Sequence, residues 1–265
     1  MSLVFAALVP HPPMLLPSIG REHAKLLDKT RQAYQKVAEA LRAARPDVIL
    51  IISPHQKMMD ETFCINLSPG YETHFTEFGD FSPPRKFKTD SQLIERLRHD
   101  ARLSGHTIAL CNEEHLDYGC GVPLYFLVGD DPTTPVVPIS TTRGPAKSHF
   151  AFGQSVKEVL MHSRERVAVI CSGDLSHRHT SDSPGGYSAR AKEFDELMVT
   201  NLTAGNTSPI LQMDSTLVDE AHACGYRPIC TLLGILDHMQ YRPELIAHET
   251  PFGIGYATVL FHLNT

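Results

Sequence analysis

Residues 47–55 read DVILIISPH. The unbroken apolar run from Val48 to Ile52, rich in Ile and Val, suits a strand covered on both faces. Upstream, residues 21–44 place Leu26, Leu27, Tyr34, Val37, Ala38 and Leu41 at helical spacing with Arg and Lys between them. That pattern predicts an amphipathic helix, and Pro46 helps to end it. Further upstream, residues 2–9 (SLVFAALV) form a second apolar run and predict a buried strand. A strand–helix–strand unit of this kind favours parallel pairing through a right-handed crossover.

The rest of the chain repeats the theme. Strands are expected at 63–67 (FCINL), 107–111 (TIALC), 135–140 (PVVPIS), 166–173 (RVAVICSG) and 255–263 (GYATVLFHL). Helices are expected at 90–103, 148–162, 186–203, 216–224 and 228–239, while 122–129 suits either element. Gly70, Gly79, Pro83 and Pro84 mark residues 69–88 as a long loop. Long loops in compact domains are often functional. Phe75, Phe78, Phe81 and Phe87 could line a pocket beneath it or anchor it to the surface. Nothing in the composition divides residues 1–265. The expected architecture is a single α/β domain: a mixed, mostly parallel central sheet flanked by helices, with a metal site at the carboxyl ends of its strands.

The 42% hydrophobic and 20% charged composition is ordinary for a globular protein. A net charge of -6 argues against nucleic acid or an anionic membrane as the main partner. No run of about 18 apolar residues occurs, so no membrane-spanning helix is expected. The N-terminal apolar run lacks a basic start and is interrupted by His11 and three prolines, so it reads as a strand and not as a leader. The six cysteines are scattered, without a CxxC pair, and no disulfides are expected. They point to a reducing, cytoplasmic location.

Histidine is the outlier, with 15 residues against 24 Lys and Arg together. Four expected strands end in one. Strand 2–9 runs into Val-Pro-His (His11), and strand 47–53 into Ser-Pro-His (His55). Strand 107–111 is followed by His115, Asp117 and Tyr118, and strand 166–173 by Asp174 and His177. A lone strand-end histidine is more often a capping or surface residue. Four of them on one sheet edge would converge. Two imidazoles and a carboxylate make the facial triad of non-haem Fe(II) oxygenases. Residues 218–228 offer the third ligand, with Glu220 the first choice. Cys224, one helical turn later, is its rival.

Together, PHPPM at His11, SPH at His55, LDYGCGVPLYFL and SGDLSH resemble the class III extradiol ring-cleaving dioxygenases, in particular the catalytic beta subunit of the protocatechuate 4,5-dioxygenase type. The resemblance runs from residue 11 to about residue 228. It implies metal ligation by His11, His55 and Glu220, and acid–base catalysis by His177. The family's second active-site histidine falls where this chain has Tyr118, so Tyr118 or His115 would take that role. The chain also resembles the Memo branch, which shares the fold without the dioxygenase activity. In that branch a Cys-Gly-x-x-Pro motif supplies a site cysteine, and Cys224-Gly225-Tyr226-Arg227-Pro228 matches it.

Two functions therefore follow from the resemblance: Fe(II)-dependent cleavage of a catecholic ring with O2, or Memo-like metal binding without oxygenase activity. Zinc or another divalent ion could replace iron. A metal hydrolase is a third class, and no His-Glu-x-x-His pattern supports it. Expected partners are a small aromatic diol and O2, with a homo-oligomer or a small accessory subunit left open. Asp174 could orient His177 or a ligand, or cap the segment that follows. The remaining histidines read as surface or structural residues, with His74 and His179 the best exceptions.

Overall fold

The computed structural model describes residues 2–103, 105–129 and 133–264. The first apolar run forms β1 (Leu3–Val9). After the short helix α1 (Pro17–Gly20), the amphipathic stretch forms α2 (Asp28–Ala44), which ends on Arg45 in a left-handed conformation. DVILIIS supplies β2 (Val48–Ser53), buried throughout. Then follow β3 (Phe63–Asn66), β4 (Gly70–Phe75), β5 (Asp80–Lys88), α3 (Ser91–Leu103), β6 (Ile108–Cys111), β7 (His115–Leu116) and α4 (Tyr118–Leu127). Beyond them lie β8 (Val136–Ser140), α5 (Ala146–Met161), β9 (Val167–Ser172) and α6 (Ala191–Ala204). The chain continues through α7 (Thr207–Leu211), α8 (Ser215–Ala221), α9 (Tyr226–Ile235), β10 (Tyr241–Glu249) and β11 (Tyr256–Leu263).

Among the described residues, eight strands form one sheet in the order β10-β11-β1-β9-β2-β8-β3-β6. Its centre, β1-β9-β2-β8, is parallel, with Ala7 beside Ile170, Ile49 beside Ala168 and Leu50 beside Val137. Antiparallel β11 and β10 complete one side, and antiparallel β3 with its parallel neighbour β6 completes the other. The expected α/β fold with a mainly parallel central sheet is therefore present.

Alternation along each strand sends side chains to opposite faces. Leu50, Ile52, Val169 and Cys171 pack with Phe152, Phe194, Ile229 and Leu233 from α5, α6 and α9. Ile49, Ile51, Ala168 and Ile170 pack with Tyr34, Val37, Leu41 and Val122 from α2 and α4. Each fully buried aliphatic side chain contributes about 1.5–3 kcal/mol, an upper figure because the unfolded chain already hides some surface.

Two glycines set how closely α9 approaches. A Cβ on Gly153 would lie 2.1 Å from the Thr231 carbonyl oxygen, and one on Gly234 would lie 2.0 Å from that of Phe150. Helices α5 and α9 thus pack backbone to backbone. This fixes the start of α9, where Cys224 enters the site.

Several expectations need correction. Residues 69–88 are not an irregular loop. β4 and β5 form a hairpin that turns through Gly79 (φ 84), and β7 pairs with β4 to complete a three-stranded sheet. Its alternating burial places Tyr71, Thr73 and Phe75 inward. Phe75 and Phe87 are core residues and Phe81 is 82% exposed, so of the four only Phe78 packs against a candidate site residue, Tyr118. β10, a polar edge strand containing Pro243, carries too weak an apolar pattern to read in sequence. Helix α8 stops at Ala221, where His222 takes a left-handed φ of 50°. Cys64 and Cys111 form a disulfide, contrary to the expectation of none. They sit 47 residues apart on strands whose pairing spacing alone does not reveal. Among the described residues, no helix is long and apolar enough to cross a membrane.

Candidate metal centre

The carboxyl ends of β1, β9, β2 and β8 share one edge of the sheet, because those strands are parallel neighbours. β1 ends at Val9 and delivers Pro10 and His11. The Tyr34 hydroxyl donates to the Pro10 carbonyl from α2 and ties this turn down. The His11 ring is buried, with Nδ1 2.8 Å from Ser172 Oγ at the end of β9. The Ser172 hydroxyl donates its only proton to the Gly119 carbonyl, so it must accept from His11 Nδ1–H. That network assigns the tautomer: Nε2 of His11 carries a lone pair and faces His55, as a metal-ligating imidazole requires.

β2 delivers His55 two residues beyond its end. Ser53 Oγ accepts the His55 backbone N–H at 3.2 Å and donates to Asp117 Oδ1 at 2.7 Å. Asp117 also caps α4 by accepting the Cys120 backbone N–H at 3.1 Å, and it accepts the Gln56 side-chain amide. One carboxylate thus locks the His55 turn to the start of α4. Gly119 is obligatory there, since a Cβ would sit 2.5 Å from Ser53 Oγ. His55 Nε2 lies 3.1 Å from His11 Nε2 and 2.9 Å from the Tyr118 hydroxyl, and the Tyr118 ring stacks on His55 with centroids 4.4 Å apart.

β9 delivers the remaining groups. A Cβ on Gly173 would lie 2.3 Å from Gly225 Cα, so the turn after β9 and the turn before α9 touch through two glycines. Gly225 N–H donates to the Asp174 carbonyl at 2.8 Å. This contact brings Cys224 Sγ to 3.5 Å from His11 Nε2, where it also accepts the Asp174 backbone N–H at 3.3 Å. Asp174 is buried, and its Oδ1 accepts the His11 backbone N–H at 2.9 Å. Its Oδ2 stands 3.7 Å from His11 Nε2 and 3.8 Å from His177 Nε2. His177 Nε2 is buried and has no hydrogen-bond partner among the described residues.

Burial dominates the electrostatics. It lowers the pKa of His11 to about 3 against the pull of Asp117. It lowers that of His55 to about 4, helped by the nearby His11 ring, and it also lowers His177. These imidazoles are therefore neutral at neutral pH and free to donate lone pairs. Burial raises Asp174 to about 6 and pushes the Cys224 thiol and the Tyr118 phenol well above their ordinary values.

The donor atoms of His11, His55 and Cys224 lie within 4.8 Å of one another, as do those of Asp174, His177 and Cys224. An ion about 2.0–2.1 Å from two imidazole nitrogens and about 2.3 Å from a thiolate keeps its donors roughly 3–3.6 Å apart. The 3.1 and 3.5 Å separations match that spacing. The unpartnered His177 nitrogen and the His11 lone pair facing His55 point the same way. The residues fit a divalent transition metal.

Of the residues singled out in the sequence, His11, His55, Tyr118, Asp174, His177 and Cys224 come together. Glu220 does not. It stays on α8, where its carboxylate accepts from Ser188 Oγ at 3.0 Å, while Cys224 approaches from the turn beyond. His115 is exposed on β7, its ring centroid 4.6 Å from that of His74. Ser172, Ser53, Gln56 and Gly119 were not legible as site residues. Ser53 and Ser172 end their strands just before the histidine and aspartate turns, which was the available signal.

Residues 5–259 match the family model described as the catalytic LigB subunit of aromatic ring-opening dioxygenase. Among curated proteins, Protein CA_C1420 of Clostridium acetobutylicum is 30% identical over 98% of this chain, which spans only 57% of that protein's length. A 2,3-dihydroxyphenylpropionate/2,3-dihydroxicinnamic acid 1,2-dioxygenase of Mycobacterium sp. (strain MCS) is 28% identical over 80% of this chain and 68% of its own. A 2-aminophenol 1,6-dioxygenase beta subunit of Pseudomonas sp. is 22% identical over 98% and 94%. The crystal structure of uncharacterized protein JW3007 from Escherichia coli K12 superposes with a TM-score of 0.68, covering 97% of this chain and 99% of that one at 20% identity, which establishes likeness of fold.

Proposed function

The chain belongs to the family of the catalytic LigB subunit of aromatic ring-opening dioxygenases, and from that premise we propose that it is a metal-dependent oxidoreductase that opens a catecholic ring with O2. The observation that carries the reading is the convergence of His11 Nε2, His55 Nε2 and Cys224 Sγ on one point. These three residues hold the metal. Fe(II) suits the oxygenase chemistry, and zinc or another divalent ion suits the same donors. When bound, the ion acidifies a phenolic hydroxyl and holds substrate beside O2.

The other residues manage protons and water. His177 is neutral and its buried Nε2 is unpartnered, so it is ready to take a proton from a substrate hydroxyl and return it later. Asp174 anchors the His11 turn through that residue's backbone N–H and sets its other oxygen 3.7 Å and 3.8 Å from the His11 and His177 nitrogens. The Tyr118 hydroxyl lies where it can donate to oxygen on which charge develops. The buried walls exclude water and strengthen each of these contacts. A small aromatic diol is the substrate class. A second copy or a small accessory subunit as partner belongs to the same proposal. The relative named as a beta subunit supports subunit association. The test is anaerobic loading with Fe(II) followed by catechol-dependent O2 uptake, with His177→Ala alongside. Turnover in the wild type that the variant loses, at equal metal content, supports the reading.

A second reading is favoured by Cys224. A thiolate in place of a carboxylate, with the Tyr118 phenol beside it, suits a Memo-like metal-binding protein without ring-cleaving activity. Full metal occupancy with no O2 uptake on any catechol would select it.

A further inference from the structure

The Tyr118 hydroxyl is held at the donor cluster with little freedom. It lies 2.9 Å from His55 Nε2, the same nitrogen that stands 3.1 Å from His11 Nε2. Its ring stacks on His55 at an interplanar angle of 27° and meets His11 edge-on with centroids 5.4 Å apart. Phe78 closes another side, 5.3 Å away at 81°. Tyr118 is the first residue of α4, and its position follows from Asp117, which caps that helix and binds Ser53 and Gln56. A phenol clamped in this way keeps its oxygen beside the metal-facing nitrogen of His55.

We propose that Tyr118 is the fourth protein donor of the centre, binding the metal as a phenolate, and that an incoming substrate hydroxyl must displace it. The proposal rests on the metal centre described above. Two donors about 2.0–2.1 Å from one tetrahedral ion lie roughly 3.3 Å apart, so the Tyr118 oxygen, now 2.9 Å from His55 Nε2, need move only a few tenths of an ångström to share that ion. On binding, the O–H bond breaks, the oxygen–metal bond forms and the proton passes to solvent. On displacement, a substrate hydroxyl gives its proton to the Tyr118 oxygen and takes its place on the metal, so the exchange balances.

The exchange sets a threshold that an incoming ligand must pass. Tyr118 is itself a phenol, tethered at high effective concentration, so a free monophenol gains nothing by replacing it. A molecule with two adjacent hydroxyls, or a hydroxyl beside an amine, replaces one donor with two and overcomes the tether. The tether weakens every displacing phenol by the same factor, so the two-donor ortho-substituted phenols still bind where a monophenol does not.

Zinc(II), which is redox-silent, provides the test, added to metal-free wild type and to Tyr118→Phe. Both proteins are expected to bind one ion. The wild type should show the near-ultraviolet difference spectrum of an ionised phenol and release about two protons, from Cys224 and Tyr118, while Tyr118→Phe shows no phenolate and releases about one. Phenol and catechol added to the zinc-loaded proteins should each bind Tyr118→Phe about tenfold more tightly, the factor expected if the Tyr118-bound state outweighs the open one by that much. Tight zinc binding by the wild type without a phenolate signal, or the same signal and proton count in both proteins, overturns the proposal and leaves the metal centre standing. Failure of both proteins to bind zinc overturns the metal centre and this proposal with it.

Discussion

The Nε2 atoms of His11 and His55 face each other across 3.1 Å, although the two residues arrive on different strands and 44 positions apart in sequence. Ser172 fixes a lone pair on the His11 nitrogen, so the gap calls for a shared proton or a shared cation.

Ser172→Ala removes the acceptor that holds the His11 tautomer. Partners of this kind typically change metal affinity by 10–100-fold. The variant should bind Fe(II) or zinc about tenfold or more weakly while folding normally, as measured by anaerobic titration and circular dichroism. Unchanged affinity would mean that the serine does not orient the ring.

Gly173→Ala tests the contact that delivers Cys224. The added Cβ would press on Gly225 Cα at 2.3 Å, so one of the two turns must move. Overpacking of this kind costs about 1–3 kcal/mol. Denaturant unfolding should show that loss, and metal affinity should fall with it as Cys224 moves away from His11.

How much of this was legible in sequence depended on how local the cause was. The apolar runs of β1, β2 and β9 and the helical spacing of α2 stated the fold directly, and the histidines following β1, β2 and β9 marked the site's edge. The hairpin β4–β5 was hidden because its prolines and glycines resemble loop punctuation, although its pairing is local. The placement of Cys224 in the cluster, with Glu220 outside it, turned on His222 ending α8 in a left-handed conformation and on two glycines meeting across 52 positions. Neither leaves a pattern in the local sequence. The Cys64–Cys111 pairing was hidden for the same reason.

His149 links stability to pH. Its Nε2 accepts the Thr142 backbone N–H at 3.1 Å and its Nδ1–H donates to the Pro145 carbonyl at 3.0 Å, both on the neutral ring. Burial lowers its pKa to about 4, so the unfolded chain binds this proton more readily. The contribution is fully present above the unfolded value of about 6.5 and is lost as pH falls toward 4, up to a magnitude on the order of 3 kcal/mol. His11 and His55 act in the same direction. Equilibrium unfolding of metal-free protein between pH 7 and pH 4 should show this decline, with a shallower slope in His149→Gln. Equal slopes would remove His149 as a contributor.

His177→Gln should bind metal within a few-fold of the wild type but lose about 10²–10⁴ in catechol turnover, the usual size of a general acid–base contribution. Steady-state O2 uptake at matched iron content measures this. Turnover close to wild type would exclude His177 as the proton carrier.

The identity of the third protein ligand is the most direct point to test. Anaerobic Fe(II) titration of the wild type, Cys224→Ala and Glu220→Gln should give one tight site in the wild type, the same site in Glu220→Gln, and a severe loss of affinity in Cys224→Ala. Retained affinity in Cys224→Ala together with its loss in Glu220→Gln would contradict the centre built here from His11, His55 and Cys224.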